Sequence, residues 1–213
     1  MSRINRDLIT ELAADLRPTR SIRLSDGLML VVAACVLTIG AMAIWQGIWR
    51  AAIDGSASAM FYLVNALLAV FGISCATAAL RMATPGVGNR YDGAYWALGM
   101  LAVLPVVASV ILVAQDAADN ILNDPYGLDC ALVGSAAAVF VALALFFWLR
   151  RGAPVNPNSA GLLVGLASGA LGSAAYGLSC PIDTLEHLAI WHIMPVAVVG
   201  ALGRAMLPRL LRW

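Results

Sequence analysis

The 213-residue chain has no lysine, so all thirteen of its positive side chains are arginine. Charge of either sign is scarce, at 12% against 62% hydrophobic residues, and mean hydropathy is +0.86. A water-soluble domain of this size does not stay in solution with that balance. Aspartate, glutamate and arginine are nearly absent from every apolar run long enough to cross a hydrocarbon core as a helix. The chain also lacks a nucleotide-binding glycine loop, a hydrolase elbow, a zincin motif and a basic array, so no direct contact with nucleic acid is expected. No CxxC occurs, which argues against a membrane thiol oxidase, whose exchange chemistry relies on closely spaced pairs. Nothing before residue 27 resembles the short apolar core and cleavage site of a secretory signal, and the first apolar run is expected to be retained.

What is present reads as an all-α integral membrane protein with six transmembrane helices at about 27–49, 59–80, 93–114, 130–149, 159–178 and 188–207. Arginines cluster before the first span, in the connections that follow the second and fourth, and in the tail. The opposite connections hold Asp54, Asp116, Asp119, Asp124, Asp129, Asp183 and Glu186 with Arg50 as their one arginine. The positive-inside rule therefore puts both termini in the cytoplasm, with the lipid bilayer as the surround of residues 27–213. Apart from Arg204 near the cytoplasmic end of the last span, His192 is the one Asp, Glu, His or Arg side chain within a span, which removes most of the weight from a pump or ion-coupled transporter.

Residues 1–26 form a separate cytoplasmic segment. Ile4, Leu8, Ile9, Leu12 and Leu16 repeat at helical spacing up to Pro18, with Asp7, Glu11 and Asp15 along one flank and Arg6 and Arg17 along the other. That is an amphipathic helix. Anionic lipid favours basic residues on both flanks, so the acidic row points to a protein partner with a basic surface. A helix that merely lies on the membrane or on the bundle is the plainer reading.

In the fifth span Gly161, Gly165 and Gly169 form a ladder of small residues, and Ala197, Ala201 and Ala205 repeat in the sixth beside Gly200 and Gly203. Such spacing lets two helix backbones approach closely, either within the bundle or at a homodimer face.

Of four cysteines, Cys35 and Cys75 fall inside spans and read as small buried hydrophobes. Cys130 and Cys180 fall on the non-cytoplasmic side, where disulfides persist. Cys180 opens the turn CPIDTLEHLAIWH, next to Asp183, Glu186 and His187, and Asp129 adjoins Cys130. Two thiols with an imidazole and carboxylates in reach suit a thiophilic divalent metal, and they equally suit a reversible disulfide. A plain structural disulfide, or two thiols far apart in the bundle, is the bland alternative. His187 and His192, five apart, fall on different sides of a straight helix, and His192 reads as a satisfied interfacial side chain rather than a ligand. Trp191, Trp45, Trp49, Trp148 and Trp213 fit interfacial aromatic belts.

The segment RRGAPVNPNSAGLLVGLASGALGSAAYGLSCPIDTLEHLAIWH, the terminal ALGRAMLPRLLRW, Cys130 at the start of span four and the N-terminal LITELAADLRPTR resemble the NrsF-type anti-sigma factors, six-span proteins of the bacterial inner membrane. In that family a tyrosine often follows the last tryptophan, where this chain has His192. The resemblance implies that an extracytoplasmic-function sigma factor is held by the cytoplasmic segment, with Leu8, Leu12 and Leu16 as anchors and Asp7, Glu11 and Asp15 as steering charges. It also implies that Cys130 and Cys180 sense heavy-metal or oxidative stress, through a transient metal ion or a reversible disulfide and with no required cofactor. On this reading the chain is not an enzyme. The alternative is a membrane thiol-redox or metal-handling enzyme using the same cysteines, and a third reading is a purely structural membrane subunit.

Overall fold

The computed structural model describes residues 3–14, 22–84, 92–114, 124–152 and 154–211. Among them every element is a helix: α1 (Arg3–Ala14), α2 (Leu24–Trp45), α3 (Arg50–Asp54), α4 (Ala59–Arg81), α5 (Asp92–Ala114), α6 (Gly127–Ala137), α7 (Val139–Leu149), α8 (Pro157–Gly177), α9 (Leu185–Trp191) and α10 (Met194–Leu210). Helix starts follow local chemistry. The Ser58 side chain accepts from Phe61 N to cap α4, and Asn156 accepts from Ser159 N ahead of Pro157 at the first turn of α8. Hydroxyls inside the helices donate back to their own backbone, as Thr38 does to Ala34 O (2.9 Å) and Ser168 to Val164 O (2.8 Å). In hydrocarbon no water is at hand, and such back-bonding satisfies these groups locally.

Five helical units are long and apolar enough to cross a bilayer: Leu24–Trp45, Ala59–Arg81, Gly127–Leu149, Pro157–Gly177 and Leu185–Leu210. They coincide with five of the six predicted segments. In the remaining one, 93–114, the apolar stretch is the shorter Leu98–Ile111 of α5, with Pro105 inside the helix. The first span ends at Trp45 rather than residue 49, because Gly47 adopts φ 79°, a left-handed backbone conformation that stops the helix. The last span starts earlier than expected, at Leu185, and is two helices, α9 and α10, separated at His192 and Ile193. Large apolar side chains such as Met29, Val36, Val103, Val110 and Phe147 remain exposed on the outside of the bundle, as a lipid-facing surface requires.

Helix α8 is the axis of the bundle, packed against α10, α4, α6, α7 and α2. The predicted ladder faces inward: a methyl group added to Gly161, Gly165 or Gly169 would run into the backbone of α10 at Gly203, Val199 or Pro195. These glycines serve contact inside one chain, with backbones close enough for dispersion to hold apolar helices together where the hydrophobic effect does not. Trp148 departs from the expected interfacial belt. It is 2% exposed and donates from Nε1 to Leu80 O (3.2 Å), locking α7 to the end of α4. Trp45 is exposed, Trp49 packs edge-on against Phe61, and Trp213 lies outside the described residues.

At the N-terminus the amphipathic helix is present as α1. Of its apolar stripe, Ile9 and Leu12 are uncovered, at 53% and 62% exposed, with Glu11 exposed beside them. Asp7 and Leu8 belong to α1 but their side chains, like all of Asp15 and Leu16, lie outside the described residues.

Replacing Gly165 with Leu should lower the thermal stability of the detergent-solubilised protein by about 2–3 kcal/mol through overpacking. A variant of normal Tm that loses only self-association would move the ladder to the outside of the molecule.

Candidate functional site

At the end of the bundle where α8 finishes and α6 begins, three pieces of chain converge. Cys130 stands in the first turn of α6, and its backbone N–H bonds to Tyr126 O at 2.9 Å. Cys180 follows α8 after a tight turn in which Ser179 N–H bonds to Tyr176 O (2.8 Å) and Cys180 N–H to Gly177 O (3.2 Å). The third piece is α9 with the break that follows it. The two sulfurs meet at 3.8 Å, which removes the alternative of two distant thiols; both are free thiols, 5% and 1% exposed.

The surrounding polar groups aim at the sulfurs. Tyr176 donates its hydroxyl to Cys130 Sγ (3.1 Å), and His187 Nε2 lies 3.6 Å from Cys180 Sγ. The other ring nitrogen of His187, Nδ1, is held by Asp124 Oδ2 at 2.6 Å. A carboxylate on Nδ1 favours the tautomer whose Nε2 is unprotonated and turned toward the sulfur. The Cys180 thiol, in the connection outside the spanning helices, is pushed above the ordinary thiol range, first by its hydrogen bond with Cys130 and then by burial.

His192 is the residue for which the expectation fails. It is 1% exposed, and neither ring nitrogen has a hydrogen-bond partner among the described residues. Its ring stacks on Tyr176, with centroids 5.6 Å apart and planes 13° apart, and meets His187 edge-on at 5.5 Å. Five-residue spacing sets two side chains on different sides only of a continuous helix, whereas the chain breaks at this point. Val196 N–H bonds to Ile193 O, and Ser173 Oγ donates to His192 O (2.6 Å). Pro195, unable to donate a backbone hydrogen bond, was the sequence signal for that break. A buried imidazole with both nitrogens unsatisfied is costly, and calls for an explanation.

Taken together, one donor atom each from Cys130, Cys180, His187 and His192 all lie within 4.8 Å of one another, and all four residues are buried. The acids expected beside them are placed otherwise. Asp183 accepts from Ser58 N–H (2.9 Å) and takes the Ser58 hydroxyl on its carbonyl (3.1 Å), tying the connection after Cys180 to the start of α4. Glu186 and Asp129 are not in the donor group, and Asp129 lines the adjoining cavity. The carboxylate that does reach the site is Asp124, 63 residues away from its histidine, a pairing that no local spacing announces. A cavity of about 640 Å³, lined by Tyr126, Cys130, Tyr176 and Cys180 among others, opens beside the sulfurs and gives small solutes a way in.

The chain matches the protein family described as negative regulator of sigma F over residues 12–213. A curated relative, the anti-sigma-F factor of Caulobacter vibrioides (strain NA1000 / CB15N), is 30% identical over 220 residues, covering 97% of this chain and 98% of that protein. No solved structure matches the fold.

Closing the sulfur separation from 3.8 Å to a bond of about 2.05 Å requires less than 2 Å of movement. Mild oxidation of the purified protein should therefore give an intrachain Cys130–Cys180 disulfide in nearly every molecule, read by alkylation and mass spectrometry. Cross-linking only between chains would mean that the two thiols do not face one another.

Proposed function

The chain belongs to the family of negative regulators of sigma F, and from that premise we propose that it is a membrane anti-sigma factor that sequesters an extracytoplasmic-function sigma factor through its N-terminal segment. Heavy-metal or oxidative stress at Cys130 and Cys180 releases the sigma factor. The protein sits in a bacterial inner membrane with six spans and both ends in the cytoplasm, and α5 is the third span. Family membership over residues 12–213 is the observation that carries the regulatory role.

The N-terminal contact is supported by the exposed Ile9 and Leu12 of α1. An amphipathic helix with Leu12 62% exposed has apolar area to offer, and the acidic flank that includes Asp7, Glu11 and Asp15 complements the basic surfaces by which sigma factors contact DNA and polymerase. Leu8, Leu12 and Leu16 are the anchors. The sensing role is supported by sulfur proximity: two thiols 3.8 Å apart at the far end of the bundle can be joined by a two-electron oxidant, losing two protons as the S–S bond forms, or can chelate a thiophilic cation together. Disulfide formation draws α6 toward the end of α8, and a shared cation ties the two together. The close packing of α8 on α10 gives that displacement a stiff path to the opposite end of the bundle.

Substituting Leu8 and Leu12 with Asp should weaken capture of the sigma factor by solubilised protein at least about 30-fold, the scale of losing one anchor of about 2 kcal/mol. Undiminished capture by this variant would remove α1 from the contact. In cells, Cys130→Ser should abolish the response of the sigma-dependent genes to cadmium while leaving repression intact; a normal response would end the sensing role of the pair.

A further inference from the structure

We propose that Cys130, Cys180, His187 and His192 form a closed, tetrahedral Cys2His2 site for a single thiophilic divalent cation of the Zn²⁺ and Cd²⁺ class, with Asp124 positioning His187 behind it. This deepens the sensing role proposed for the two thiols and rests on it for its meaning in the cell, but the coordination itself can be tested apart from that role.

The geometry is that of a chelate rather than of a chance cluster. Two sulfurs, each about 2.3 Å from one tetrahedral ion, lie about 3.8 Å apart, and a sulfur and an imidazole nitrogen on the same ion about 3.6 Å apart. The Cys130 and Cys180 sulfurs are 3.8 Å apart, and Cys180 Sγ is 3.6 Å from His187 Nε2. All four donor atoms fall within 4.8 Å of one another, so ligation asks for movement of about 1 Å, which draws the elements that carry the donors slightly together. His192 supplies the independent observation. Its ring is buried against Tyr176 and His187 with both nitrogens unpartnered among the described residues, and a cation in the cluster gives one of them its partner.

The ligand side chains are themselves held in place. Asp124 holds His187 Nδ1 at 2.6 Å, the carboxylate–imidazole arrangement that fixes a ligand ring, and Tyr176 donates to Cys130 Sγ at 3.1 Å, a bond that favours the thiolate. Two sulfurs and two imidazoles exclude the hard cations Mg²⁺ and Ca²⁺, which require oxygen ligands. Binding balances simply: the cation enters, two sulfur–metal and two nitrogen–metal bonds form, and the two thiol protons leave to solvent. No electron is transferred, so metal ligation and disulfide formation are separate reactions of the same sulfurs.

The test is titration of the reduced, full-length protein in detergent with Cd²⁺, following thiolate-to-metal charge-transfer absorption. Wild type should bind one ion per chain with that absorption. His192→Phe, which keeps the stack on Tyr176 but removes the nitrogens, should bind at least about 100-fold more weakly, and Asp124→Asn about 10- to 100-fold more weakly. His192→Phe should still form the Cys130–Cys180 disulfide on oxidation, which certifies its fold; if it does not, His187→Phe, which removes the other imidazole, decides. Wild-type affinity in the deciding variant would overturn the four-ligand site, as would a wild type that binds no Cd²⁺. Neither result would touch the cellular cysteine test, which alone decides the sensing role.

Discussion

The close approach of α8 to α10 is the constraint from which the remaining geometry follows. Helices of this composition gain little from the hydrophobic effect once they are in lipid, so their association depends on dispersion between surfaces in contact. Gly161, Gly165 and Gly169 bring the backbone of α8 against Gly203, Val199 and Pro195, leaving no space for even a methyl group. At one end of this seam stand Tyr176 and, just beyond the helix, Cys180; across it stand Pro195 and, just before α10, His192. The seam sets where these groups lie, and the break before Pro195 turns His192 inward toward the sulfurs.

That arrangement makes the site a junction. Cys130 belongs to α6, Cys180 to the end of α8, and the histidines to α9 and its break, while Asp183 fastens the connecting turn to the start of α4 through Ser58. Shortening any distance within the junction shifts rigid elements against one another. Packed interfaces respond to such shifts in discrete steps, because close-packed surfaces do not deform smoothly. In the proposed mechanism the chemistry at the sulfurs and the hold on a cytoplasmic partner are two ends of one mechanical unit, and a stimulus acts only through its different affinity for the two states.

Much of this was legible in the sequence, for identifiable reasons. Long apolar runs bounded by Gly, Pro and Arg gave the helices, and the four-residue glycine spacing gave the α8–α10 seam. The two thiols were found from their position at the same side of the membrane. What escaped depended on tertiary placement: Trp148 was assigned to an interface because its burial against Leu80 is set by a helix 68 residues away. Asp124 was passed over as one acid among several in a loop. The five-residue spacing of His187 and His192 separates them only on a straight helix; the helix stops at Trp191, ahead of Pro195, and the two rings come together. Asp183 and Glu186 were favoured for nearness along the chain, but nearness in sequence does not fix the direction of a side chain.

The proposed function depends most on coupling between the sulfur site and a cytoplasmic contact, and reconstitution tests that coupling directly. The protein, bound to its sigma factor in lipid nanodiscs, would be exposed to increasing Cd²⁺ and the fraction of sigma factor released measured. Release that saturates with metal binding, and that is abolished when Cys130 and Cys180 are both replaced by Ser, is the predicted result. A complex that stays intact while the sulfurs are fully occupied by Cd²⁺ would contradict it.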